Sequence, residues 1–200
     1  MFDDVQIVIP SSGRATVSNG STSGQITLEQ LPSAVYPYTW LAVPNEEWAA
    51  YDDLLHNSRS TTLGVRILKV PDFCKNITET REYIFKNHNS RYLMMLDDDM
   101  RFCYRTNGMA DSRLKLLPPK HIEIVRMLLF WRTLAEEYVH CGPSPRGGNN
   151  RVFDSVQTCK RMCNAYMYDM DVIDKMKPLP YLDCVPIMED FDLTLRLIKA

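Results

Sequence analysis

Apolar residues fall in short blocks closed by proline. VQIVIP (Val5 to Pro10) is too short for a helix, is β-rich, and is followed by the Ser-, Gly- and Asn-rich run SSGRATVSNGSTSG, so it reads as a buried strand leading into a loop. YTWLAVP and VRILKVPD repeat the pattern, and RYLMML gives a fourth strand that runs into Asp97, Asp98 and Asp99. Between these blocks the period changes to that of a helix. EEWAAYDDLLHN is a short one; NITETREYIFKNH is another, with Asn76 or Thr78 as N-cap and Glu79 suited to the positive end of the helix dipole.

Strand alternating with helix predicts an α/β domain around a mostly parallel, buried sheet. Such sheets bind ligands beyond the carboxyl ends of their strands, where the strand order switches. The aspartate triplet sits at such an end. Further on, PPKHIEIVRMLLFWRTLAEEY predicts one long amphipathic helix begun by proline, CGPSPRGGNN a loop, and NAYMYDMDVIDKM a strand running into a short helix. EDFDLTLRLIKA predicts a last helix with acids in its first turn. It reaches Ala200 without a glycine cap, so the domain is expected to continue past the given sequence.

The 200 residues suit one domain; 45% of them are hydrophobic and 24% charged, enough to bury a core. A net charge of −2 argues against broad, non-specific binding of nucleic acid and leaves room only for a local basic groove. No apolar run approaches the roughly 18–20 residues that span a bilayer. Met1 leads straight into FDDVQIVIP without a signal peptide, so a soluble cytoplasmic protein is expected, with reduced thiols at Cys74, Cys103, Cys141, Cys159, Cys163 and Cys184. Cys159 and Cys163 form a CxxxC with no second pair or nearby histidine, which does not make a zinc site.

Candidate chemistry concentrates in the acids. By strand alternation, Asp97 and Asp99 share one face and Asp98 the other. Two carboxylates on one side of a cleft repel unless a cation such as Mg²⁺ or Mn²⁺ joins them. The alternative is a solvated turn, which the buried strand before the triplet and MRF after it oppose. Glu189 and Asp190 are either dipole-favoured helix starters or general bases facing a cleft. Pro10, Ser11, Ser12, Gly13 and Arg14 follow the first strand, where a nucleotide would lie, yet they form neither a GxGxxG nor a P-loop. Arg81 is either a surface partner or a nucleotide contact. Arg146, Gly147, Gly148 and Asn149 form a loop suited to a sugar or acceptor, or a plain connection. No histidine lies by a serine elbow; His56, His88, His121 and His140 are expected at helices or helix ends, exposed or capping.

In this order, IPSSGR, ETREYIF, LDDD, RGGNN and MEDFDLTLRL together resemble the GT-A fold of nucleotide-sugar glycosyltransferases, a Rossmann-like sheet flanked by helices. The resemblance implies that LDDD is the DxD motif, with Asp97 and Asp99 holding Mn²⁺ or Mg²⁺ and Asp98 beside the donor. It implies a donor site at Pro10 to Arg14 and Arg81, and a catalytic base at Glu189 or Asp190, as in inverting members. It divides the chain into a nucleotide-sugar half, residues 1–105, and an acceptor half, residues 106–200. More narrowly, IPSSGR and the last helix resemble a bacteriophage branch associated with dioxygenases that make hydroxymethyl-pyrimidines. That implies a UDP-sugar donor, modified DNA as acceptor, the host cytoplasm as location, and Arg101, Arg105, Arg113, Arg146 and Arg151 as a phosphate-binding rim. A further metal ligand, often a histidine in that fold, would lie beyond Ala200. Two rivals are a nucleotidyltransferase, opposed by the absence of lysine from the first loop, and a non-catalytic nucleotide-sugar-binding module, opposed by Glu189 and Asp190.

Overall fold

The computed structural model describes residues 2–15, 25–57, 62–105, 114–144, 156–158, 162–175 and 189–199. Strands β1 (Val5–Pro10), β2 (Thr39–Pro44), β3 (Arg66–Val70) and β4 (Tyr92–Leu96) coincide with the four predicted blocks. Helices α2 (Trp48–Asn57) and α3 (Ile77–Lys86) lie between them as expected, and Asn76 caps α3 by accepting from the Glu79 N–H at 2.9 Å. A short helix α1 (Ile26–Gln30) was not foreseen.

The chain continues through the small antiparallel ribbon β5 (Cys103–Arg105) and β6 (Leu114–Leu116), helix α4 (Ile122–Leu134) and strand β7 (His140–Cys141). Strand β8 (Ala165–Asp169) and helices α5 (Met170–Ile173) and α6 (Glu189–Lys199) follow. The prolines do not start α4. Lys120 takes a positive φ of 64° and His121 becomes the N-cap, its Nδ1 accepting from the Glu123 N–H.

Among the described residues the main sheet has the order β3-β2-β1-β4-β8-β7. β3, β2, β1 and β4 run parallel, and β8 pairs antiparallel with both β4 and β7. The chain proceeds outward from β1 to β3, then returns to lay β4 on the other side of β1. The switch point therefore lies between β1 and β4. With Val5 opposite Tyr92 and Val8 opposite Met95, their carboxyl ends emerge side by side.

Alternation along the strands divides the core in two. Ile7, Ile9, Leu41, Val43, Met94 and Leu96 pack on one face with Ile124, Leu128 and Trp131 of α4. Val8, Ala42, Leu93, Met95, Tyr166 and Tyr168 pack on the other with Ile84 of α3, Ile173 of α5 and Leu193 of α6. Every residue of β1, β4 and β8 is buried, as a sheet covered on both faces requires. Helix α6 therefore shares a face with α3, and among the described residues no helix is long and apolar enough to cross a membrane.

Candidate functional site at the β1/β4 switch point

Strand β4 stops at Leu96, and the aspartates lie in the turn after it. Thr27 causes the bend. Its N–H donates to the Asp98 carbonyl at 3.0 Å, while its hydroxyl donates to the Asp97 carbonyl and accepts from the Met100 N–H. The pleat is therefore lost, so strand alternation no longer orders the three acids, although Asp97 and Asp99 stay near enough that, after burial, the charge of Asp99 also raises the Asp97 carboxyl. Asp97 turns to Arg81, whose Nη2 donates to it at 2.8 Å, whereas Asp98 and Asp99 both approach Arg14.

The loop after β1 is built around Asp98. The Ser11 hydroxyl donates to an Asp98 oxygen at 2.6 Å, accepts from the Gln25 amide at 2.7 Å and stands 2.8 Å from the Tyr51 hydroxyl. Arg14 places Nε 3.1 Å from the same Asp98 oxygen, and its backbone N–H donates to Tyr51. Ser12 and Gly13 are clamped by Glu47, which accepts from the Ser12 hydroxyl at 2.7 Å and the Gly13 N–H at 2.6 Å. Gly13 has a φ of 71°, a conformation that suits its lack of a side chain. Pro10 ends β1 and fixes the direction of this loop.

Burial raises the Asp97 carboxyl above its ordinary value and outweighs the opposing Arg81 guanidinium. Asp98 is also raised by burial, against the Ser11 hydrogen bond and Arg14. Asp99 is the open member, its side chain 52% exposed and 3.5 Å from Arg14. Among the described residues, three carboxylates thus meet two guanidiniums.

Arg81 is not a surface arginine: its side chain is 6% exposed and committed to Asp97. Glu189 and Asp190 open α6, on the sheet face that also carries α3; their side chains lie outside the described set. Asp192 pairs with Arg196 one turn on, at 2.8 Å, as an intrahelical acid. Arg146, Gly147, Gly148 and Asn149 lie outside the described residues, as do Arg113 and Arg151. Arg101 is exposed just after the triplet, and Arg105 is on the β5–β6 ribbon. His140 departs from expectation: it lies on a strand, with Nε2 sealed from solvent and its ring stacked on Tyr168 at 4.5 Å.

A family model described as TET-associated glycosyltransferase matches residues 5–200. The chain belongs to that family. No match is found among curated proteins. Among solved structures, S. aureus TarS (residues 1–349) aligns with a TM-score of 0.55 at 8% identity, covering 97% of this chain and 55% of that one. The same protein in complex with UDP-GlcNAc aligns at 0.53 and 10% identity, covering 97% and 53%. A 4-diphosphocytidyl-2C-methyl-D-erythritol synthase from Anaerococcus prevotii aligns at 0.53 and 10% identity, covering 97% and 82%. The chain therefore spans about half the length of the TarS structure it matches. At these identities the likeness is one of fold, and it agrees with the GT-A-type architecture expected from the sequence.

The donor set fits a hard divalent cation in one respect: carboxylate oxygens at the topological switch point, outnumbering guanidiniums among the described residues. Among the described residues no three His, Cys, Asp or Glu side chains converge into a ready cage. A cation there would complete its shell with phosphate oxygens and water, as Mg²⁺ commonly does. Sequence reasoning missed Gln25, Thr27, Glu47 and Tyr51, which shape the turn and loop. They are ordinary polar residues, and only the closure of the fold brings them to the acids.

Proposed function

We propose that this protein transfers a sugar from a nucleotide-sugar donor, a UDP-sugar first, to an acceptor hydroxyl, with Mn²⁺ or Mg²⁺ at the acidic triplet. The observation carrying this reading is the gathering of acids at the β1/β4 switch point: among the described residues, three carboxylates against Arg14 and Arg81, two of them raised by burial. A bound cation would supply charge neutralisation for the diphosphate leaving group. Asp97 and Asp99 would hold it. The Ser11–Arg14 loop, fixed by Glu47 and Tyr51, would seat the nucleoside.

Asp190 or Glu189 would take the proton from the acceptor hydroxyl. That oxygen forms a bond to the anomeric carbon as the bond to the diphosphate breaks, and the electron pair leaves with the nucleoside diphosphate. An attack opposite the leaving group gives inversion. The acceptor we favour is a hydroxymethyl-pyrimidine in phage DNA within the host cytoplasm. Such a base must leave the stack to reach a cleft. Arg101 and Arg105 would then meet the DNA backbone phosphates, and the Arg146–Asn149 loop would border the sugar.

A thermal-shift panel of nucleotide sugars, with and without Mn²⁺, tests the reading. One donor should raise the melting temperature only with the metal, by an amount that reflects about 2.7 kcal/mol at a hundredfold excess over Kd. Stabilisation by nucleoside triphosphates instead, with pyrophosphate release, would replace it with nucleotidyl transfer.

A further inference from the structure

Asp97 is held at two points, its carboxylate and its backbone N–H, and both lead to one side chain. Beyond the last β4–β8 pair, Leu96 with Ala165, the ladder gains one more bond: the Asp97 N–H donates to the Asn164 carbonyl at 2.7 Å. Asn164 can offer that carbonyl because it takes a positive φ of 70°, a conformation asparagine tolerates better than most residues. Its own N–H donates to the Tyr166 hydroxyl at 3.1 Å. The Tyr166 ring, 1% exposed, lies under the Arg81 guanidinium at 5.4 Å, and Arg81 donates to Asp97. Backbone and carboxylate of Asp97 therefore share a support. The corner is tightly packed. A Cβ on Gly142, next to β7, would stand 2.5 Å from the Ala165 carbonyl oxygen.

We infer that Tyr166 and Asn164 are positioning residues that set where Asp97 presents its carboxylate to the donor diphosphate and its cation. The inference rests on the donor-site reading above. Neither residue touches the reacting atoms; each acts through Asp97, Tyr166 by its hydroxyl on Asn164 and by its ring under Arg81. Removing the hydroxyl leaves the Asn164 N–H without its acceptor and frees the turn. A cation site of few protein ligands is sensitive to such support, because losses of orienting hydrogen bonds commonly weaken metal binding about 10–100-fold.

The test uses the full chain, with Mn²⁺ titrated against UDP-bound protein and free Mn²⁺ read by electron paramagnetic resonance. Melting temperature is followed in parallel. Tyr166→Phe and Asn164→Ala should each weaken Mn²⁺ binding roughly tenfold. Asn164→Gly, which adopts the positive φ freely, should stay within about twofold of the wild type. That rescue separates positioning from simple packing, since glycine also deletes the side chain. Wild-type Mn²⁺ binding in Tyr166→Phe and Asn164→Ala, with only their melting temperatures lowered, would overturn the inference and leave the donor site standing. A wild-type protein that binds neither UDP nor Mn²⁺ would overturn both.

Discussion

The two ends of the sheet are built from the same residue types and reach opposite electrostatic states. At the amino end, Asp4 accepts from Arg132 Nε at 2.9 Å, and Arg132 also reaches Glu136 at 2.7 Å while lying 4.1 Å over the Tyr92 ring. Arg91 binds Asp169 at 2.9 Å and flanks Tyr92 at 4.8 Å. Hydrogen bonds from Arg132 hold the Asp4 carboxyl below its ordinary value. At the carboxyl end, burial wins over Arg81 and Arg14, and Asp97 and Asp98 move up. The charge count does not separate the ends, since Asp4, Glu136, Asp169 and Asp171 share Arg132 and Arg91; burial does. Where hydrogen bonds outweigh desolvation the cluster closes a fold, and where desolvation wins it keeps acids in place for a ligand that brings positive charge, at some cost in stability.

The largest expected effect separates chemistry from binding at the carboxyl end. Asp190→Asn should lower turnover by about 10²–10⁴-fold, the usual contribution of a general base, while donor affinity stays within about twofold. Undiminished turnover would move the base to Glu189. Next comes Asp99→Ala, which should weaken Mn²⁺-dependent donor binding roughly tenfold or more by calorimetry. The matching change at the amino end, Asp4→Asn, should leave that affinity untouched. Equal losses from both would erase the distinction between the ends.

Much of this was legible in the sequence. VQIVIP and RYLMML announce strands because every residue is apolar or β-rich and proline or aspartate ends the run. β7, two residues long, and α1, five residues, are too short to show a period. PPKHIEIV misled because proline favours a first turn, whereas the chain spends Lys120 on a positive φ and starts α4 at Ile122. The acids were visible since three together after a buried strand are unusual. Their arrangement was not: Thr27 bends the triplet out of the pleat, and Asn164 reaches Asp97 only through the β4–β8 pairing.

His140 gives a smaller effect, from a third electrostatic solution: a titratable ring kept neutral. Burial drops its pKa to about 3. An unfolded chain binds that proton near the ordinary histidine value of 6.5, so protonation favours unfolding. Stability is unaffected above about pH 6.5 and falls as the pH drops from there toward 3, by about 1.4 kcal/mol at pH 5.5. His140→Phe, which retains a ring against Tyr168, should remove this dependence. Chemical denaturation of both proteins at pH 7.5 and 5.5 isolates it, and identical losses would place the acid sensitivity elsewhere.

The smallest effect is the sharpest test of the comparison, because it predicts opposite signs for the same chemical change. Asp4→Asn removes a carboxylate whose lowered pKa stabilises the fold above about pH 3.8, a contribution lost as the pH falls through the folded value. Its side chain is 41% exposed, so solvent screens the pair and the loss at pH 7 should be about 0.5–1 kcal/mol. Asp98→Asn removes a carboxylate whose raised pKa works the other way, weakening the fold as the pH rises through 3.8 toward the folded value. Asparagine can still accept from Ser11, and Arg14, 36% exposed, can turn to water or Asp99. Asp98→Asn should therefore gain roughly 0.5 kcal/mol at pH 7 while weakening Mn²⁺-dependent donor binding. Loss of stability in both variants would mean that Arg14 and Ser11 compensate Asp98 as fully as Arg132 compensates Asp4, and the carboxyl end would hold no charge in reserve.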